Sequence, residues 1–348
     1  MQKNEIDRQV EHEIADQPRA LNELMRFYAL PDCRELLHRV SISGERRVLF
    51  TGMGASFHAA MIGAELSRRG GMDGTSALAS DVIDWSGPII NQYDWVIYLS
   101  QSGASGEVTP LLEKLDPSRL IAITNDPASL LGKAAVLTLP LCAGEEKWIA
   151  SKTYLNSLAL LRLVTGCWID GDDAIDRVLG DIKKIRQRLQ VILEARESLS
   201  KRWLDLLGDD KRLVILGSGI QSVSARQTAL LLAEWAKLPT LACSFDEFRH
   251  GLIETVDDHT TVLVFQSSDH ETPQERERIG QLHEIGGRVI RVLDGLPLEW
   301  GELQRTVAEV DGGLSPLLDA VAAQILCLSL ASRNGQSGFR YIKKVVAG

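Results

Sequence analysis

No basic tract interrupts this chain of 348 residues, and its net charge is −9. That argues against nucleic acid and anionic membranes as partners, since both are held through clustered Lys and Arg. An anionic ligand would have to be bound by local dipoles and a few cations. Cysteine is scarce: Cys33, Cys142, Cys167, Cys243 and Cys327 are scattered, odd in number, and form no C-x-x-C pair. This pattern fits idle thiols in a reducing cytoplasm rather than a disulfide framework. Met1 to Glu13 is highly charged and carries no apolar h-region, so no signal peptide is visible. No apolar run is expected to reach the length of a membrane span. A cytoplasmic protein of ordinary globular composition follows, and its length suits two domains.

A third glycine is also missing where a dinucleotide fold would need one. Gly52-Met53-Gly54 and Gly217-Ser218-Gly219 both follow apolar runs, but Phe57 and Ser222 stand where the fingerprint continues with glycine. NAD binding is therefore not expected.

What is present begins with Ser100-Gln101-Ser102-Gly103-Ala104-Ser105. It follows Trp95 to Leu99, which reads as a buried strand, and precedes Glu107 to Leu115, which reads as a helix. A loop of small hydroxyl residues between a strand and a helix N-terminus offers unpaired N–H groups, positive dipole and hydroxyl donors. Gly103 allows close backbone approach. A phosphate is the expected guest. Around this loop, Arg47 to Phe50, Leu120 to Thr124 and Val136 to Leu141 read as further strands, and 151–168 reads as a long buried helix. The order then repeats. Leu213 to Leu216 answers Val48 to Phe50, Thr261 to Phe265 answers Trp95 to Leu99, and Arg288 to Val292 answers Leu120 to Thr124. Strands separated by helical segments imply parallel sheets covered on both faces. Between the copies, Ile182, Ile185, Leu189, Ile192 and Leu193 form the apolar stripe of a connecting helix.

With these motifs in order, the chain resembles the SIS (sugar isomerase) family, and most of all the isomerase half of the glucosamine-6-phosphate synthases and the related amino-sugar-phosphate deaminases and fructosamine-phosphate deglycases. The resemblance runs from Glu13-Ile14-Ala15-Asp16-Gln17-Pro18 through Gly52 to Ser56, Ser100 to Ser105, Ala143-Gly144-Glu145-Glu146, Ala150-Ser151 and Glu247-Phe248-Arg249-His250-Gly251 to the C-terminal lysines. It implies two SIS domains, each a parallel-sheet three-layer α/β/α flavodoxin-like sandwich. The expected division is a helical segment at 1–45, a first SIS domain at 46–169, a connecting helix at 170–207 and a second SIS domain at 208–348. Residues 1–45 are too short for the synthase's glutaminase domain and offer no N-terminal cysteine nucleophile. Glutamine-derived ammonia is therefore not expected.

The resemblance also assigns roles. Ser56, Ser100, Gln101, Ser102 and Ser105 match phosphate-binding positions, although Ala104 stands where the family has glutamate. Gly54, Ala55 and Ser151 match sugar-contacting positions, with Glu145 or Glu146 as a further contact. Glu234, in the apolar stretch Ala229 to Ala236, matches the glutamate that shuttles a proton between C1 and C2, and burial would raise its pKa toward the range a base needs. His250 lies sixteen positions later and matches the histidine that opens the hexose ring from the neighbouring subunit, which implies a homodimer. Leu252 replaces the usual proline of the His-Gly-Pro motif. Lys343 matches a Schiff-base lysine, and Lys344 adjoins it. Leu231 replaces a second lysine, which fits the deaminase and deglycase branches better than amino transfer. Asp81 to Trp85 and Lys147-Trp148 lie in loops expected to set specificity. The expected activity is isomerisation of a 6-phosphorylated ketose or amino sugar, with or without amine release, and with no metal or redox cofactor. A non-catalytic phosphosugar-binding regulator is the alternative, although it would have no need of Glu234 or His250.

Overall fold

In the computed structural model, which describes residues 5–39, 46–171, 173–209, 212–267, 273–302 and 313–339, the chain divides into two compact units. The first spans Asp16–Lys183. The second spans Lys184–Phe339 together with the helix Glu5–Ala15. The boundary thus falls inside the helix Asp173–Glu194, and the N-terminal segment is shared between the units: Gln17–Ala29 and Pro31–Arg39 belong to the first. The stripe from Ile182 to Leu193 is buried, and the connecting segment is two helices, Asp173–Glu194 and Arg196–Leu207.

The first unit holds β1 (Arg47–Gly52), β2 (Asp73–Leu78), β3 (Trp95–Leu99), β4 (Leu120–Thr124) and β5 (Leu137–Pro140), all parallel, in the order β2-β1-β3-β4-β5. The central strands β3 and β4 are continuous apolar runs because both faces are covered by helices. Register places Leu49 beside Val96 and Ile97 beside Ile121. One face packs Leu49, Tyr98, Ala122, Val108 and Leu111 into a core.

The second unit holds β6 (Arg212–Gly217), β7 (Leu241–Ser244), β8 (Thr260–Gln266), β9 (Arg288–Leu293) and β10 (Leu296–Glu299). Read from β7, the order β7-β6-β8-β9-β10 repeats that of the first sheet. The internal repeat seen in the sequence is thus a repeat of topology. The second sheet differs at its edge, where β10 runs antiparallel to β9. The cause is a two-residue hairpin, Asp294-Gly295, with φ of 48° and 83°. Asp-Gly with both φ positive is the turn whose twist suits adjacent antiparallel strands.

The helix Ser315–Asn334 corrects the expectation about membrane-length runs. It is long and apolar enough to span a bilayer, yet 89 % of its most apolar window is buried. It packs against Arg196–Leu207 and Gln221–Leu231, so it reads as the core helix of its unit.

Candidate active site

In both sheets the strand order reverses beside the first strand of the unit. Ligands of open α/β sheets bind outside the carboxyl ends of strands at such a point. In the first unit this is where β1 and β3 end. Gly52 is required there, because a Cβ would lie 2.9 Å from the Leu99 carbonyl oxygen and 2.9 Å from the Ser56 carbonyl carbon. That close approach brings the first turn of the following helix, Gly54 to Ser56, against the end of β3. Gly54 then opens the helix Gly54–Arg69 at φ +53°, and Met53 provides no side-chain cap. Ser56 N and Phe57 N bond to the Met53 carbonyl at 3.0 and 3.3 Å, which leaves the N–H groups of Gly54 and Ala55 for an anionic acceptor.

The loop after β3 is held by its own hydroxyls. Gly103 N donates to Ser100 Oγ at 3.2 Å, and Ala104 N donates to Ser102 Oγ at 3.3 Å. Each hydroxyl accepts one backbone N–H and keeps its own proton for an anion. Gly103 has φ +61°, and a Cβ there would sit 2.0 Å from Ser129 Oγ. The neighbouring strand end secures the other side: Asn125 N and Thr124 Oγ1 both donate to the Gln101 carbonyl, at 3.1 and 3.3 Å. Ser100 is buried, Ser56, Gln101 and Ser105 are half-buried, and Ser102 is exposed. The expected helix Glu107 to Leu115 is shorter, Val108–Leu112. Pro110 lies in its first turn, where a missing N–H costs nothing, and the loop extends to Glu107.

Ser151 is fully buried, and its backbone N and Oγ each donate to Glu146 Oε1 at 2.9 Å. Glu146 also accepts from Thr153 N at 3.2 Å and from the Thr153 hydroxyl. Its carboxylate therefore caps the helix Lys152–Asp170 at the positive end of the helix dipole. Glu145 is exposed and pairs with Lys147 at 3.0 Å. Sequence reasoning gave no role to Lys152. It is 4 % exposed and pairs with Asp16 at 3.1 Å. Burial would raise the Asp16 carboxyl, but hydrogen bonds from Arg19 and Lys152 outweigh it and hold the group below its ordinary value. Asn125 fixes the intervening loop, accepting from Ala143 N at 2.9 Å and donating to the Gly144 carbonyl at 2.7 Å.

Glu234 lies in the second unit. The stretch from Ala229 to Ala236 is not one regular helix. The α-helix Gln221–Leu231 passes into a single π turn, Leu232–Ala236, and Glu234 is its central residue. Such turns are frequent at functional sites. Burial pushes the Glu234 carboxyl up to about 7, against the opposing pull of the Lys237 charge. This is the direction expected from the sequence. The turn rests on Ser315–Asn334. From that helix the fully buried Cys327 thiol reaches the Leu231 carbonyl at 3.2 Å, satisfying a helix-end acceptor.

His250 is exposed at the C-terminal end of the helix Phe245–Arg249, which packs on β6 and β7. Its backbone N bonds to the Glu247 carbonyl at 3.1 Å, and Gly251 follows at φ +126°. Lys343 and Lys344 lie outside the described residues.

Residues 206–295 match the SIS domain family. Among curated proteins, the chain is 25 % identical over 339 residues to a glutamine–fructose-6-phosphate aminotransferase (isomerizing) of Thermococcus kodakarensis, covering 93 % of this chain and 55 % of that protein. The chain thus spans about half the length of the curated relatives it matches. Among solved structures, the C-terminal domain of the glucosamine-fructose-6-phosphate aminotransferase of Francisella tularensis superposes with a TM-score of 0.78 at 19 % identity, covering 95 % of this chain and 97 % of that one. A glucosamine-6-phosphate deaminase of Thermotoga maritima superposes with a TM-score of 0.65 at 23 % identity, covering 94 % and 95 %.

Proposed function

We propose that this chain, whose residues 206–295 match the SIS domain family, is an enzyme acting on a 6-phosphorylated ketose or amino sugar, of the glucosamine-6-phosphate or fructosamine-6-phosphate type. The observation that carries this reading is Glu234, a carboxylate at the centre of a π turn whose pKa stands at about 7. A general base works best with a pKa near the operating pH, and a purely structural surface carboxylate has no reason to be held there.

The loop Ser100 to Ser105, with Ser56, holds the phosphate through hydroxyl protons and backbone N–H groups. Gly54 and Ala55, at the uncapped helix start, and Ser151 serve the sugar. His250 takes the proton of the anomeric hydroxyl and returns one to the ring oxygen, opening the ring. The Glu234 carboxylate then removes the proton from the carbon next to the carbonyl. The electron pair of that C–H bond forms the C1–C2 double bond as the carbonyl oxygen takes up a proton, giving the enediol or, with nitrogen on C2 (glucosamine type) or C1 (fructosamine type), the enolamine. Protonated Glu234 returns the proton to the adjacent carbon. For an oxygen substituent the result is aldose–ketose exchange. For nitrogen it is an imine, at C2 from a glucosamine-6-phosphate and at C1 from a fructosamine-6-phosphate, which water hydrolyses to ketose or aldose respectively, with release of the amine. Lys343 is the candidate for holding the carbonyl as a Schiff base. The exposed position of His250 is compatible with service to a second copy, and we place the enzyme as a cytoplasmic homodimer.

The test is turnover of glucosamine-6-phosphate and fructosamine-type 6-phosphates, followed by ammonia or amine release and by aldose–ketose exchange. Glu234→Gln is expected to lose at least about 100-fold in rate, the general-base range, while phosphosugar binding persists. Amine release dependent on Glu234 would make the protein a deaminase or deglycase, and exchange alone would make it an isomerase. Unchanged turnover in the variant would refute the assignment. Binding without any turnover would favour a phosphosugar-binding regulator.

A further inference from the structure

Lys237 closes the π turn in an unusual way. It sits in the left-handed region, φ +57° and ψ +31°, at the C-cap of Leu232–Ala236. A non-glycine residue there is strained unless the surroundings hold it. Three contacts do so. Its ammonium donates to the carbonyl of Glu234. The same ammonium stands 6.0 Å from the centroid of the Phe339 ring. That ring meets Trp235 edge-on at 5.9 Å, and Trp235 is 1 % exposed. Behind it, Leu238 N bonds to the Leu232 carbonyl at 3.0 Å and locks the backbone of the cap. The lysine therefore cannot swing out as a surface side chain would.

Burial is the larger influence on the Glu234 carboxyl, and Lys237 opposes it. From Ser315–Asn334, Cys327 faces the turn, but burial pushes its thiol up to about 12 and it stays neutral. Among the described residues, Lys237 is the one charged group that bears on the Glu234 carboxylate.

We infer that Lys237 is a positioning residue for the base: it holds the π turn closed and, from its seat on the Phe339 ring, lends a fixed positive charge to Glu234. This rests on the reading of Glu234 as the base. The charge draws the midpoint of a half-buried carboxyl back toward neutral pH, so that an ionised fraction is available to accept a proton from carbon. Phe339 ties the end of the described chain to the same turn.

The experiment titrates Glu234 directly by NMR on protein labelled with carbon-13 at the glutamate carboxyls, with Glu234→Gln identifying the resonance. The wild type is expected to titrate at about 7. Lys237→Met, which keeps the stem, and Lys237→Asn, which tolerates the left-handed backbone, should both raise the midpoint by about 0.5–1 pH unit, threefold to tenfold in proton affinity. Lys237→Arg should restore it. In turnover, the acid limb of the pH profile should move upward by the same amount. A midpoint in both neutral variants within about 0.2 of wild type, the size of a minor surface effect, would overturn the inference. If Glu234→Gln stays active, the base reading falls while the titration still reports on Lys237. If it is inactive and the neutral variants titrate as wild type, only the role of Lys237 falls.

Discussion

Glu234 is buried at a cost to the fold. Its pKa rises from 4.5 to about 7 on folding, through burial that Lys237 only partly offsets. A carboxyl raised in the folded state contributes stability that is complete below pH 4.5 and is lost as the pH climbs through 7. Glu234→Gln is therefore expected to be more stable than wild type at pH 8, by about 2 kcal/mol after discounting its partial exposure, and equal to it near pH 4.5. Urea unfolding at the two pH values checks this, and an equal difference at both would contradict it. Gly103 gives the opposite case. At φ +61°, with any added Cβ only 2.0 Å from Ser129 Oγ, Gly103→Ala should cost about 2–3 kcal/mol. On the proposed function it should also abolish phosphosugar binding, read as the loss of any ligand-induced rise in melting temperature. Retained stability and binding would show that the loop is not rigid.

At the scale of elements, the helix Lys152–Asp170 depends on a side chain from outside it. Glu146→Ala removes the acceptor for four donors on Ser151 and Thr153, and it should cost about 2 kcal/mol in urea unfolding. A loss under about 0.5 kcal/mol, the level of a surface substitution, would contradict the capping role. The parallel strands were legible because strands buried on both faces read as unbroken apolar runs, as Leu120 to Thr124 does. The edges were not. β2, Asp-Gly-Thr-Ser-Ala-Leu, and β7, Leu-Ala-Cys-Ser, carry too few large apolar side chains to stand out. The loop Ser100 to Ser105 was legible through its hydroxyls and glycine, and Glu234 through a lone carboxylate among apolar neighbours. The π turn was not, because Leu230 to Ala236 has the composition of an ordinary helix. What opens it is tertiary: the Cys327 thiol on the Leu231 carbonyl and the left-handed Lys237 cap. The roles of Glu146 and Lys152 escaped for the same reason, since their partners are set by the fold.

Across the whole molecule, the two units should respond to pH differently. In the second, Asp319 is fully buried; burial drives its carboxyl well above the ordinary range despite a hydrogen bond from Ser224 at 2.8 Å. Asp319 and Glu234 both lose their stabilising contribution as pH rises. In the first unit, Asp16 and Glu65 are held below their ordinary values. Their contributions are complete above pH 4.5 and fall away only under acid. Between about pH 5 and 8, hydrogen exchange should therefore show the second unit losing protection relative to the first. Asp319→Asn should reduce that difference, and equal slopes in the two units would contradict the assignment. The central claim is that Glu234 moves a proton to and from sugar carbon. The most direct measurement is incubation with glucosamine-6-phosphate or fructosamine-6-phosphate in heavy water, reading deuterium at C1 and C2 by mass spectrometry and NMR. The account predicts exchange that rises through about pH 7 and is lost in Glu234→Gln. Exchange of the same rate in that variant, or phosphosugar binding with no exchange at any pH, would contradict it.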